Sequence, residues 1–263
     1  MTAWLLYLAL GAFAGVLAGL LGVGGGLVIV PMLTFIFTSG GLPAAHILHL
    51  ALGTSLATIM FTSVSSLRAH HGRGAVDWQV VRRITPGIMA GTFGGSWVAA
   101  QLSTEFLKVL FVVFQYYVAA QMLLDIKPTP HRQLPGVWGM SAVGTVIGGI
   151  SSLVGIGGGS MSVPFMAWCN VAMHTAIGTS AAIGFPIALA GAAGYVVNGW
   201  NASVPPHSLG FVYLPALLGV SLASVLTAPL GARMAHNLPV SRLKKAFAVL
   251  LLIMGTKLLI SLF

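Results

Sequence analysis

Two runs of glycine mark places where the backbone itself can do chemistry. Gly22-Val-Gly-Gly-Gly-Leu-Val-Ile-Val-Pro31 recurs as Gly155-Ile-Gly-Gly-Gly-Ser-Met-Ser-Val-Pro164, with six identities in ten positions. Each glycine weakens a helix by about 1 kcal/mol. Gly24, Gly25 and Gly26, like Gly157, Gly158 and Gly159, should therefore end one helix and open the next. A helix start carries unpaired N–H groups and roughly half a positive charge, which suits an anion. Two such starts converging near the middle of a bilayer would cradle one. Valine at Gly25 or Gly158 should then obstruct the ligand rather than the fold. The competing reading is a kink that serves packing alone.

A second pair of motifs supplies neutral donors. His49-Leu-Ala-Leu-Gly-Thr-Ser55 recurs as His174-Thr-Ala-Ile-Gly-Thr-Ser180, with five identities in seven. On a helix each histidine shares a face with the glycine four residues on. Thr54, Ser55, Thr179 and Ser180 offer hydroxyls without a full charge, suited to an anion that must bind and still leave. The alternative is bonding between helices or back along one. Ser160 and Ser162 follow the second glycine run where Leu27 and Ile29 follow the first, so the candidate site is asymmetric. Gln115, Tyr116, Tyr117 and Gln121 are open to a pore-facing or a helix-contact role, and Lys257 is placed to reach toward a membrane surface.

The elements that must position these residues follow from composition. Of 263 residues, 57% are hydrophobic and 6% charged, whereas soluble domains carry about 25% charged residues. A water-soluble enzyme is excluded. Ten apolar segments are expected, at 4–21, 27–38, 44–68, 79–102, 106–124, 136–154, 160–169, 174–197, 208–235 and 243–262. A spanning helix needs roughly 20 residues, so 27–38 and 160–169 are too short, and each follows a glycine run. Discontinuous or re-entrant helices are expected there, tolerated where protein or a water-filled cavity covers the backbone. Gly11, Gly15 and Gly19, like Gly87, Gly91 and Gly95, recur every four residues, the spacing of close helix packing. The apolar runs are too long, and alternate too little, for a β-barrel. Met1–Leu10 lacks a basic segment, so no cleaved signal peptide is expected.

The repeats divide the chain into two halves of five segments, 1–126 and 136–263, joined by an expected cytoplasmic linker at 127–135. A weaker third match aligns Gly95–Lys108 with Gly231–Lys244. An odd number of spans per half would invert the second relative to the first, and the charges agree. Arg68, Arg73, Arg82 and Arg83 surround loop 69–78, while its counterpart 198–207 has no Lys, Arg, Asp or Glu. Conversely, 102–108 holds only Glu105 and Lys108, against Arg233, Arg242, Lys244 and Lys245 in the second half. Positive charge marks the cytoplasmic side, so equivalent loops should face opposite sides. The expected fold is an all-α polytopic membrane protein of two inverted five-segment repeats, an arrangement of transporters.

Asp77, Glu105 and Asp125 all fall at segment ends, leaving no carboxylate inside a segment for a proton relay or a metal cation. The single Cys169 excludes an internal disulfide and a multi-thiolate metal site. No cofactor and no nucleic acid are expected; the twelve basic residues serve orientation and anionic lipid contact.

At the duplicated Gly-x-Gly-Gly-Gly runs closing on Pro31 and Pro164, and at the Thr54-Ser55 and Thr179-Ser180 steps, the chain resembles the TauE/SafE sulfite exporter family over nearly its whole length. The resemblance implies export of sulfite, sulfoacetate or a related organosulfonate across a bacterial cytoplasmic membrane. The residues themselves specify an anion site and no particular anion. The alternative is a channel or carrier for another small anion or a neutral solute. An intramembrane enzyme with Ser160 as nucleophile and His174 as base is disfavoured, because the serine is absent from the first copy of its motif. The expected partners are a small anion and the lipid bilayer, with a homodimer allowed.

Overall fold

The computed structural model describes residues 2–22, 24–124, 133–237 and 240–261. The expected linker residues Lys127 and Arg132 lie outside them. Ten α-helices account for almost all of the described chain: α1 (Thr2–Leu21), α2 (Gly26–Ser39), α3 (Ile47–His71), α4 (Trp78–Gln101), α5 (Thr104–Leu123), α6 (Val137–Val154), α7 (Gly159–Trp168), α8 (Met173–Asn198), α9 (Leu214–Asn237) and α10 (Val240–Ile260). Six of them, α1, α3, α5, α6, α8 and α9, are long and apolar enough to cross a membrane. The two short helices start at the glycine runs, as the spacing predicts. With 14 residues in α2 and 10 in α7, they extend about 21 and 15 Å, well short of a hydrocarbon core of about 30 Å.

Local chemistry sets the boundaries. Asp77 caps α4, its Oδ1 accepting from the N–H groups of Gln79 and Val80 at 2.9 and 3.1 Å. Ser103 caps α5 by accepting from Phe106 N–H at 3.2 Å. These caps satisfy backbone donors that the first helical turn leaves open. Within α2, Pro31 has no N–H to give the Leu27 carbonyl. Gln115 of α5 supplies the missing donor, its Nε2 lying 3.3 Å from that oxygen. The open question over Gln115 therefore resolves as a helix contact.

One segment departs from the all-helical expectation. The apolar run predicts a helix from residue 208, but Ser208–Leu209 (β1) and Val212–Tyr213 (β2) pair as a small antiparallel hairpin. Gly210, at φ 54°, turns the chain, and Phe211 N–H donates to the Tyr195 carbonyl at 3.1 Å instead of entering a helix. Tertiary contact has overridden an ambiguous apolar pattern.

Helices α3 and α8 pack against each other at the centre, and most of their residues are buried. The first helix of each half packs on the fourth helix of the other: α1 on α9, and α6 on α4. Glycine stripes make both contacts. A Cβ added at Gly11, Gly15 or Gly19 would strike the backbone of Val220, Ser224 or Ala228. At Gly87 and Gly91 it would strike Ser141 and Thr145, and at Gly144 and Gly148 it would strike Ile84 and Ile88. Helix α4 also packs on α8 as α9 does on α3, α2 on α3 as α7 on α8, and α5 on α10. Exchanging the two halves maps each of these pairings onto another of them or, for α3–α8 and α5–α10, onto itself.

The connecting loops follow the same exchange. Ala75 and Asp77, beyond the C-terminal end of α3, meet Gly178 and Thr179 near the start of α8. Phe211 and Tyr213 of the hairpin meet Gly53 and Thr54 near the start of α3. The two loops at equivalent chain positions thus lie at opposite ends of α3.

Candidate functional site

The two glycine runs touch. A Cβ on Gly24 would lie 3.2 Å from the Cα of Gly157, and one on Gly26 would strike the Gly155 carbonyl. Each run takes the same path into its helix: the N-cap residues Gly25 and Gly158 have φ/ψ of 77/−8° and 76/−8°. That left-handed conformation is open to glycine and costs other L-residues roughly 1–2 kcal/mol. Space is also short, since a Cβ at Gly25 would sit 2.9 Å from the Ala14 carbonyl, and one at Gly158 would strike Ile187. Valine at either position must disturb the fold itself, which corrects the expectation that it would only obstruct a ligand.

The Gly-Thr-Ser motifs hold the two runs together. Ser55 Oγ donates to the Gly155 carbonyl at 2.8 Å, and Ser180 Oγ to the Gly22 carbonyl at 3.0 Å. Each serine therefore fastens the glycine run of the other half. Ser162 adds to one side only, its Oγ donating to Ser180 Oγ at 3.0 Å. The threonines face the loops: Thr54 Oγ1 accepts from Tyr213 N–H and Thr179 Oγ1 from Asp77 N–H, each at 2.9 Å. Gly53 and Gly178 let these loops in, because a Cβ would strike the carbonyls of Phe211 and Ala75.

The remaining candidates lie apart from this junction. His49 is buried, its Nε2 donating to the Ala99 carbonyl at 3.1 Å and its ring 5.1 Å from that of Phe211. Its counterpart His174 is exposed in the first turn of α8. Ser160 borders a groove between α5 and α7 with Tyr117, Gln121 and Trp168, but is itself buried, its Oγ without a hydrogen-bond partner. Lys257 lies 5.9 Å from the ring of Phe35, in a groove between α2 and α10.

Beside the junction is a small cavity that motif comparison missed. Gly22, Gly24, Thr62, Ser63, Ser66 and Gly184 line it, and its free volume of about 10 Å³ admits roughly one water. The Thr62 hydroxyl is 2.6 Å from that of Ser224, and Ser63 Oγ donates to the Met60 carbonyl at 3.1 Å. Ser66 Oγ is buried, 2% exposed as a residue, with no hydrogen-bond partner. A buried hydroxyl without a partner costs free energy; Thr92, Ser151, Ser160 and Ser208 share that state, and among them Ser66 lines this cavity. Ser55, Thr62 and Ser66 lie on one helical stripe, seven and four residues apart, and that periodicity was the available signal.

A helical membrane bundle centred on two abutting broken-helix junctions has the architecture of a multi-pass transporter. The sequence model for the sulfite exporter TauE/SafE family matches residues 7–258, and the chain belongs to that family. A Haemophilus influenzae protein named "Probable membrane transporter protein" is 40% identical over 257 residues, covering 95% of this chain and 96% of its own. A similarly named Methanocaldococcus jannaschii protein is 26% identical over 258 residues, covering 95% and 93%. No solved structure matches the chain.

Proposed function

We propose that this protein exports a small sulfur oxyanion, sulfite or an organosulfonate such as sulfoacetate, across the bacterial inner membrane. Its path is the seam between the two glycine runs, with the two halves inserted in opposite orientation. The observation that carries this reading is the contact of the duplicated runs beside a buried cavity lined by hydroxyls, with Ser66 unpartnered. Neutral donors suit such a cargo: backbone N–H groups and hydroxyls bind an oxyanion without the tight hold of a fixed charge. The exchange of packing partners between halves, and equivalent loops at opposite ends of α3, support the inverted arrangement.

A cavity of about one water excludes an oxyanion, so transport requires the runs to separate. The short helices α2 and α7, packed chiefly on α3 and α8, are the elements whose displacement would open the seam. A negative-inside potential drives an anion outward by about 2.3 kcal/mol per charge per 100 mV, so export needs no coupled ion. Proteoliposomes loaded with labelled sulfite, sulfoacetate or chloride test the proposal. Efflux of the sulfur anions, faster than chloride and set by the imposed potential, is expected. Chloride passing equally well would assign a general anion channel, and a strict need for a pH gradient under clamped potential would refute potential-driven export.

A further inference from the structure

We propose that the groove between the C-terminal halves of α3 and α9 is a binding site for an anionic phospholipid, with the headgroup phosphate among Arg68, Arg73 and Arg233. The groove has about 690 Å³ of free volume, and those three arginines line it together with Phe61, Val64 and Val225. Arg73 is fixed in place, its Nη1 donating to the Ala232 carbonyl at 2.7 Å. Arg68 and Arg233 are exposed, and their side chains make no hydrogen bond or ion pair with any described residue. The described carboxylates are elsewhere: Asp77 caps α4, and Glu105 lies in the first turn of α5. Three guanidinium groups thus share one groove with no carboxylate among its lining residues, and a phosphate matches their planar donor forks.

The rest of the groove selects a lipid over a free ion. Phe61, Val64, Val225 and Pro229 give it apolar walls. On the same helix α9, Leu218, Leu222 and Leu226 are all more than half exposed at four-residue spacing, the surface a helix presents to acyl chains. The groove is also separate from the transport seam. Phe61, Val64, Ser65 and Arg68 share one face of α3, whereas Thr62, Ser63 and Ser66, which line the glycine cavity, occupy the opposite side. Basic pockets between membrane helices are recurrent sites for anionic headgroups.

Native mass spectrometry of the whole protein in neutral detergent, titrated with phosphatidylglycerol or phosphatidylcholine, tests the assignment. Preferential retention of phosphatidylglycerol is expected, falling roughly fivefold in Arg68→Gln and roughly a hundredfold in the triple variant with Arg73→Gln and Arg233→Gln. Arg82→Gln, outside the groove, should retain the preference. If the triple variant does not fold, Arg68→Gln carries the test, since that side chain bonds no described residue. Equal retention of the two lipids, or an unchanged preference in Arg68→Gln, overturns the proposal. So does displacement by millimolar inorganic phosphate, which would make the groove a site for soluble anions.

Discussion

Ser55, on the third helix, donates its hydroxyl proton to the carbonyl of Gly155, one hundred residues away in the other half of the chain. Ser180 does the same in reverse, to Gly22. The repeated serines are thus fasteners between halves, and Ser66, a buried hydroxyl without a partner beside them, is the one the proposed function assigns to the ligand. Alanine at 55 or 180 should cost about 0.5–1.5 kcal/mol of stability, read as a lower melting temperature in detergent. Ser66→Ala should hold or raise the melting temperature, because it removes a buried hydroxyl that has no partner, and weaken anion affinity roughly two- to twelve-fold. A transport assay run beside the melts separates the two roles; the opposite pattern would reassign them.

The glycine runs should be intolerant in a graded way. Gly25→Ala combines a left-handed backbone with a Cβ 2.9 Å from the Ala14 carbonyl, so folded yield should fall, with at least roughly 1–2 kcal/mol lost to the backbone alone. Gly94→Ala is the control: it is helical, and a Cβ there meets nothing within 4 Å. It should be neutral, or stabilise by up to about 1 kcal/mol. Size-exclusion profiles of the two variants decide the matter.

Single cysteines at Gly74 and Ser203, in a background with Cys169 replaced, should label from opposite sides of the membrane. Both residues are exposed, in loops at equivalent positions of the two halves. Labelling of both by one impermeant reagent from the same side would rule out the inverted arrangement.

Neither half should fold alone. Residues 1–126 would present the glycine face of α1 without α9, and that of α4 without α6. Expressed separately, each half should be degraded; expressed together, they should co-purify and recover transport. Stable accumulation of one half by itself would contradict this.

The glycine stripes were legible because close packing leaves a spacing in the sequence, and Gly15 facing Ser224 is what that spacing predicts. The short helices were legible for a related reason, since three glycines interrupt any helix. The serines were only half legible: duplication showed that Ser55 and Ser180 matter, but a sequence displays donors and not their acceptors. Ser66 was hidden because its equivalent position holds Gly191, so no repeat points to it. His70 and Tyr195 were hidden by chemistry. They occupy equivalent positions and bond the carbonyls of Gly19 and Ser152 at 3.1 and 3.0 Å, yet differ in residue type. The hairpin at 208–213 escaped because its turn depends on contacts with α3 and α8.

The pairing of α1 with α9 also sets a timetable for biogenesis. Gly15 leaves the ribosome about 200 residues before Ser224, the residue its backbone must meet. At roughly 5–20 residues per second, α1 spends some 10–40 seconds in the bilayer with its small-residue face against lipid. During that interval α4 acquires α6 after a far shorter delay, so the central part of the chain assembles first. The opening helix docks late, as a latch closing over a core that already exists, and of the packed helices only α10, which settles on α5, is made after the latch's partner α9.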